Sequence, residues 1–348
     1  MSVQTQIDRI SEAVQSALAA LTEKGVTVPD GTKVDGLAEL IANIESGATL
    51  TVTAPAGATV TVSKDGKSKT KVADLDGVAV FKGLASGTWT VTITGDGKTA
   101  QKNVVVTTDY STAISFSTIP EFTYTGDYEI VNDSDEPITV SQGNWKIRFL
   151  TSGTLTFTNL NGAEGGIDVF LVGGGAAGAT GSSTCHGGGG GYTLTAKNVS
   201  LQKNTPYEIV IGAGGNATAA QGGDTSAFSY TAAGGKNPNG GSGGGKGGTS
   251  STNGGNGASD GGTAHGTGQG TTTREFGEEA GTLYSPGGGG GGRTGGTGGE
   301  GGGGDGSYGG AAGNGAENKG AGGGGSRHGT VGTGGSGIAI IRNTRGAA

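Results

Sequence analysis

Cysteine is all but missing: Cys185 stands alone among 348 residues. No intrachain disulfide can form, so the fold needs no oxidising compartment. Proline is scarce as well, seven in the whole chain, too few and too unphased for a collagen triple helix. No run approaches the ~18 apolar residues of a membrane helix. The first 25 residues lack a basic segment followed by an apolar one, so neither a membrane span nor a signal peptide is expected. Basic residues are outnumbered, 22 Lys and Arg against 29 Asp and Glu, for a net charge of −7. That balance argues against nucleic-acid binding, which requires a basic footprint.

What is abundant is glycine. Of 81 glycines, fourteen lie before residue 161 and 67 after it. Glycine buries no side chain and loses the most backbone entropy on folding, so the second half cannot fold around an ordinary core. Disordered low-complexity chains carry more charge than this half does, and strand-like apolar segments punctuate it. An ordered glycine scaffold is the expectation, with a disordered linker as the alternative.

Ile7, Ile10, Val14, Ala17 and Leu21 recur at spacings of three and four, the a and d stripe of a helix beginning near Ser2. Two heptads do not hold a free-standing coiled coil, so this helix packs locally or joins identical copies. After the breaker Val28-Pro29-Asp30-Gly31, a second stripe at Leu37, Leu40, Ile41 and Ile44 ends at Gly47. Helices with so little apolar surface make no stable monomeric domain. Residues 1–47 therefore read as an attachment and oligomerisation segment, with Ile7, Ile10, Val14, Leu21, Leu37, Leu40, Ile41 and Ile44 as its contacts. Ile7 and Val14 at a with Ile10 at d point to a homo-oligomer of more than two strands, and fibres are usually trimers.

From Ala48 the apolar period changes from 3.6 to 2. Thr- and Val-rich strands recur at 50–53, 59–62, 78–81, 88–93, 104–106 and 113–116, separated by the turn signals Lys64-Asp65-Gly66-Lys67 and Gly95-Asp96-Gly97-Lys98. Residues 48–118 are expected to form a β-sandwich with Trp89 as a core plug rather than an exposed ligand platform. A connecting β region follows over 119–160. Its acidic cluster, Asp133-Ser134-Asp135-Glu136, lacks the spacing of a calcium loop and reads as a solvated turn.

The glycine-rich domain, 161–348, opens on a false lead. Ile167–Val172 reads as a buried strand, and Gly173, Gly175 and Gly178 after it match a dinucleotide fingerprint. The fingerprint needs a helix, and Gly187–Gly191 lies where one would run; the ribose carboxylate is replaced by Asn198. A P-loop near-match at 240–246 fails because Gly247 stands where Ser or Thr would bind magnesium. No cofactor and no metal is expected. Thr294, Thr297 and Glu300 mark a period of three, the repeat of an extended polyproline or polyglycine II helix. Such helices have no internal hydrogen bonds, so buried amides must bond to neighbouring helices. The fold class expected is mainly β and multidomain: a helical segment, an immunoglobulin-like sandwich, and a β frame around packed polyglycine-II-type helices.

Three stretches carry a family resemblance. Gly25–Gly31 followed by Leu37-Ala38-Glu39-Leu40-Ile41 resembles the N-terminal segment of phage tail-fibre proteins. Gly83–Val91, in its order of strands, looks like the immunoglobulin-like or Cna-B-like spacers of surface and virion proteins. Asp168–Gly175, Gly187–Tyr192, Gly212–Gly215 and Gly334–Arg342 look like the glycine-rich domain at the end of phage tail fibres and adhesins. A similar pattern in receptor tyrosine kinase ectodomains comes with cysteines and a membrane span that this chain lacks.

The resemblance implies a non-enzymatic virion protein. Its N-terminal end would dock on other virion proteins and its glycine-rich end would meet a host-surface glycan or protein. The absence of an export signal fits a particle assembled in the cytoplasm and released by lysis. A head fibre or capsid decoration without receptor role is the alternative; ice binding is disfavoured by the irregular triplet phase. An almost side-chain-free scaffold displays its few large residues, so Phe276, Tyr284, Arg293, Tyr308, Arg327 and His328 are the receptor-binding candidates. His186, His265 and His328 stand alone, without an acid at triad or ligand spacing. Cys185 beside His186 reads as structural, because adjacent side chains seldom point the same way.

Overall fold

Ser2 starts the first helix: its Oγ accepts the amide of Thr5 at 3.1 Å, satisfying one of the donors a helix leaves free. The computed structural model describes residues 2–23, 28–29, 31–33, 47–95, 98–139, 141, 143–218, 220–237, 242–249, 251–261, 269 and 272–344. In it α1 runs Val3–Glu23. Leu18 and Leu21 are buried, with Val14 and Val28 packed against them, whereas Ile7 and Ile10 stand 53% and 59% exposed. The second expected stripe, Leu37, Leu40, Ile41 and Ile44, lies outside the described residues.

The chain divides into two compact units, Met1–Phe116 and Ser117–Ala348. The first holds β1 (Ala48–Thr53), β2 (Thr59–Lys64), β3 (Lys67–Val72), β4 (Val78–Leu84), β5 (Gly87–Gly95), β6 (Lys98–Val106) and β7 (Tyr110–Ala113). Their sheets run β4-β1-β7 and β3-β2-β5-β6. Asp65 and Gly66, at φ 50° and 77°, make the tight turn between β2 and β3. Inward residues of both sheets, among them Val52, Val60, Phe81, Val91 and Ile93, form one core. Trp89 joins it, 6% exposed, with Nε1 donating to Ala85 O at 2.9 Å. Strand β3 lacks the alternation that reveals a half-buried strand, because it is an edge exposed along its whole length.

The second unit contains β8 (Glu121–Tyr124), β9 (Tyr128–Val131), β10 (Lys146–Phe149), β11 (Gly153–Asn159), β12 (Ile167–Val172), β13 (Thr180–Gly181), β14 (Thr193–Val199), β15 (Pro206–Ile209), β16 (Thr225–Ala227), β17 (Tyr230–Ala232), β18 (Ser307–Tyr308), β19 (Ser326–Arg327) and β20 (Ile338–Asn343). A five-stranded sheet, β14-β12-β20-β10-β9, and a three-stranded one, β15-β11-β8, share a core of Trp145, Ile147, Phe149, Leu155, Phe157, Val169 and Ile341. Residues 119–160 are therefore not a separate connector. Their strands supply part of both sheets of the glycine-rich unit, and β12 pairs β20 from Ile167↔Asn343 to Val172↔Ile338, closing the base of the long insertion.

Inside that insertion the amides bond in threes. Gly173, Ala176 and Ala179 donate to the carbonyls of Tyr192, Gly189 and His186; Gly174 and Ala177 to those of Gly223 and Ala220; Gly175 and Gly178 to those of Gly335 and Gly332. One segment thus bonds to three neighbours, returning to each after three residues. The run Gly187–Tyr192 repeats the pattern, with 187 and 190 bonded to 245 and 242, 188 and 191 to 323 and 320, and 189 and 192 to 236 and 233. Neighbours this close leave no room for side chains: a Cβ on Gly175 would drive into the Ala321 carbonyl, and one on Gly187 into that of Gly288. No helix follows Gly178; the chain runs extended into β13.

Candidate functional site

The hydrogen-bond register fixes which turns lie far from the strands. The segments leave the strand frame at Gly173 and return at Tyr192, or leave at Gly212 and return at Gly337, and these pairs bond to each other. At the opposite end Ala179 bonds His186, Ser326 bonds Ala179, Gly291 bonds Cys185, Gly248 bonds Gly291, Arg293 bonds Thr252, and Ala312 bonds Thr330. The turns at 180–185, 251–253, 292–294, 308–311 and 327–330 therefore gather at one end, distal to the frame. Their sequences contain Arg293, Arg327, His328, Tyr308 and many hydroxyls, and no carboxylate. In a chain of net charge −7, that end is locally positive.

Four of the six receptor-binding candidates lie there. Tyr308 is 55% exposed, and Arg293 and His328 are exposed as well. The Tyr308 and His328 rings meet edge to face, 5.9 Å between centroids. His328 is held at φ 63°, a conformation uncommon outside glycine that turns its side chain towards Tyr308. Arg327 is a correction to the expectation of display: it is buried, because Nη2 donates to Ser182 O at 2.6 Å and Nε to His328 Nε2 at 3.1 Å. It braces the turn that presents His328. Cys185 is buried too, its Sγ donating to Gly181 O at 3.1 Å, a structural role.

Phe276 and Tyr284 are the second correction. Both are buried, 4% and 1% exposed, because they pack on Phe170 of β12 with ring centroids 5.6 Å and 5.3 Å away. They sit at the proximal end, on the face of the five-stranded sheet opposite the main core. That face carries charge in alternate positions: Lys146 and Arg148 on β10, Asp168 on β12, Arg342 on β20, with Lys146 and Asp168 both beside Arg342 in register.

The insertion answers with Glu275 and Glu278. Lys146 Nζ lies 2.9 Å from Glu275 Oε1 and 2.5 Å from Asp135 Oδ1. Arg342 donates to Asp168 at 3.2 Å and takes Glu278 in a two-pronged pair, while its guanidinium stacks 3.9 Å from the Phe276 ring. Asp135 thus does more than occupy a solvated turn. Burial alone would raise its carboxyl, but hydrogen bonds and charge from Lys146 and Arg148 hold it below the usual carboxylate range. Burial, then the negative charge of Glu275, pushes the Tyr284 hydroxyl far up. Burial, then Arg148, lowers the Lys319 ammonium, which lies 4.2 Å over the Tyr284 ring.

A polar cleft of about 260 Å³ opens beside this network, lined by Asp133, Asp135, Lys146, Glu275, Glu278 and Arg342. Asp133 accepts from Asn144, and the other charges lining it are paired with one another, so their chemistry is that of a clamp fastening residues 273–285 to the sheet. Among the described residues no group of three or more His, Cys, Asp or Glu side chains is placed to hold a metal ion, and no helix is long and apolar enough to cross a membrane. The sequence signal for the clamp was the alternation Trp145-Lys146-Ile147-Arg148-Phe149 and the single acid of β12, Asp168.

The matching family model is that of a glycine-rich domain, over residues 150–344. This chain belongs to the glycine-rich domain family. No curated protein matches it. Among solved structures it is similar to a DUF3823 family protein from Bacteroides ovatus, 13% identical, with 54% of this chain and 96% of that chain covered at a TM-score of 0.20. At that score the likeness carries no argument.

Proposed function

We propose that this protein is a phage virion structural protein, a tail fibre that binds the host surface through the distal turns of its glycine-rich domain. The observation that carries the reading is the gathering of Tyr308, His328 and Arg293, all exposed, at the end of the glycine lattice remote from its strand frame. Aromatic edges, hydroxyls and cations without carboxylates suit a glycan or an acidic protein surface.

The threefold return of hydrogen bonds to the same neighbour is the pattern of polyglycine II helices, three residues per turn and unbonded internally. We assign the glycine segments to that type and the first unit to an immunoglobulin-like spacer. Stiff helices bonded on several sides leave their connecting turns as the natural contact surface. In the first unit, the exposed Ile7 and Ile10 of α1 continue a stripe suited to joining copies, as a trimer, or docking on another virion protein. The protein is not an enzyme in this reading and inserts into no membrane.

The test is location. Gold label directed at residues 2–23 on purified particles is expected at the tail; label on the capsid would move the assignment to a head fibre or decoration protein without receptor role.

A further inference from the structure

Five asparagines of the sequence precede a glycine: Asn161, Asn239, Asn253, Asn256 and Asn314, of which Asn239 lies outside the described residues. Asparagine is thermally labile, and most so before glycine, where no Cβ keeps the following amide nitrogen from the side-chain carbonyl carbon. Two of these pairs share one arrangement, each facing a threonine of a neighbouring segment. Gly257 N donates to Thr297 O at 2.8 Å, and Thr297 N donates back to Asn256 Oδ1 at 2.9 Å. Gly315 N donates to Thr333 O at 2.8 Å, and Thr333 N donates back to Asn314 Oδ1 at 3.0 Å.

At Asn253, one triplet before Asn256, only half of the arrangement recurs among the described residues: Gly254 N donates to Thr294 O at 2.8 Å. Asn253, Asn256 and Asn314 are all exposed, so burial does not shield them from water. What distinguishes Asn256 and Asn314 is that one threonine backbone holds both the side-chain carbonyl and the amide that would attack it.

We propose that Asn256 and Asn314 are sites of covalent modification gated by the glycine lattice, unreactive while the threonine bonds hold and converted to isoaspartate when the segment opens locally. In the reaction Gly257 N attacks Asn256 Cγ and gives up its proton, the Cγ–Nδ2 bond breaks, and ammonia leaves with that proton. Water then opens the cyclic imide at either carbonyl, giving aspartate or isoaspartate. Gly315 and Asn314 react in the same way. Attack needs nitrogen and carbon in a near-attack geometry, and with N–H and Oδ1 both directed at one threonine that geometry is reached only after both bonds break. Isoaspartate adds a methylene to the main chain, so amides beyond it no longer return to the same neighbour every third residue, and the opened segment does not close in register. This concerns the durability of the lattice and holds whether or not the chain is a tail fibre.

The test incubates the full chain in mild alkali, folded and in guanidinium chloride, and follows isoaspartate at each asparagine by peptide mass spectrometry. In denaturant Asn253, Asn256 and Asn314 are expected to convert at similar rates. In the folded chain Asn256 and Asn314 are expected to convert at least about tenfold more slowly than in denaturant, with Asn253 ahead of both. Thr297→Pro removes the N–H that holds Asn256 Oδ1 and keeps the carbonyl that holds Gly257, and proline suits a helix with φ of about −75°. It is expected to speed Asn256 about fivefold and leave Asn314 unchanged, and Thr333→Pro to do the reverse. Circular dichroism verifies that both variants fold, and the crossed pattern separates a local gate from general loosening. Conversion of Asn256 and Asn314 in the folded parent at the denatured rate, or variants that accelerate both asparagines or neither, would overturn the proposal.

Discussion

The ring of Tyr308 meets that of His328 edge on at 5.9 Å, although twenty residues separate them and neither belongs to a hydrophobic core. What joins them is the lattice: β18 and β19 run parallel, with Ser307 opposite Ser326 and Tyr308 opposite Arg327. Ser307 Oγ and Ser326 Oγ lie 2.9 Å apart and both donate to Gly310 O at 2.8 Å. This pairing of Tyr308 with His328 is thus a product of backbone register, and predictions about it separate cleanly from predictions about stability.

Replacing a lattice glycine damages the scaffold according to where its Cβ would point. Gly175→Ala places a methyl group in the Ala321 carbonyl and is expected to cost about 1–3 kcal/mol, whereas Gly310→Ala meets nothing within 4 Å and should be near neutral. Thermal unfolding of the two variants is the comparison, and equal melting temperatures would contradict the register described.

Glu275 is 4% exposed and holds Lys146. Glu275→Gln leaves a buried ammonium with one carboxylate fewer and is expected to destabilise by about 3–5 kcal/mol. Hydrogen exchange should accelerate first at 273–285, the stretch this clamp fastens. Uniform acceleration across the unit would argue against a local clamp.

Asp135 titrates below the usual carboxylate range, so its contribution is present at pH values above that range and lost as pH falls through its own lowered value. Acid is therefore expected to free the turn carrying Asp135 from Lys146 and Arg148 of β10 before the main core unfolds. At the alkaline end, burial and then Asp127 raise Tyr124 to about 12, and Tyr284 is pushed further. Their share of stability is complete below ordinary tyrosine ionisation and lost as pH rises through the raised values. Absorbance titration of the phenolates should leave Tyr124 and Tyr284 among the last of the eight tyrosines to ionise in the folded chain, and Tyr124→Phe should remove a step near 12.

If α1 joins copies, Ile7→Asp/Ile10→Asp should convert an oligomer to monomer with little change in the β units, because both side chains are exposed within a single chain. Sedimentation equilibrium decides it, and an unchanged mass would remove α1 from the interface.

Strands that bury one face were legible in the sequence, because Val52, Val60, Val91 and Ile93 alternate with polar residues and dictate a face. Strand β3 was not, since Lys67-Ser68-Lys69-Thr70-Lys71 buries nothing and pairs with β2 alone along its backbone. The triplet Thr294-Gly-Gly-Thr297 gave the repeat of the glycine segments, but not which segment neighbours which; that depends on amides meeting carbonyls far apart in sequence. The same limit explains Phe276 and Tyr284. Composition marks them as large residues among glycines, and only the fold brings Phe170 beneath them. Arg293, Tyr308 and His328 are exposed because they sit at the last lattice bonds, where the segments turn back.

The most direct test of host binding is competition. If the chain is a tail fibre, the purified protein should block adsorption of the phage that carries it to host cells, and a triple variant, Arg293→Ala/Tyr308→Ala/His328→Asn, with asparagine chosen to tolerate the left-handed backbone at 328, should melt as the parent does yet fail to compete. A triple variant that competes as well as the parent would contradict the account.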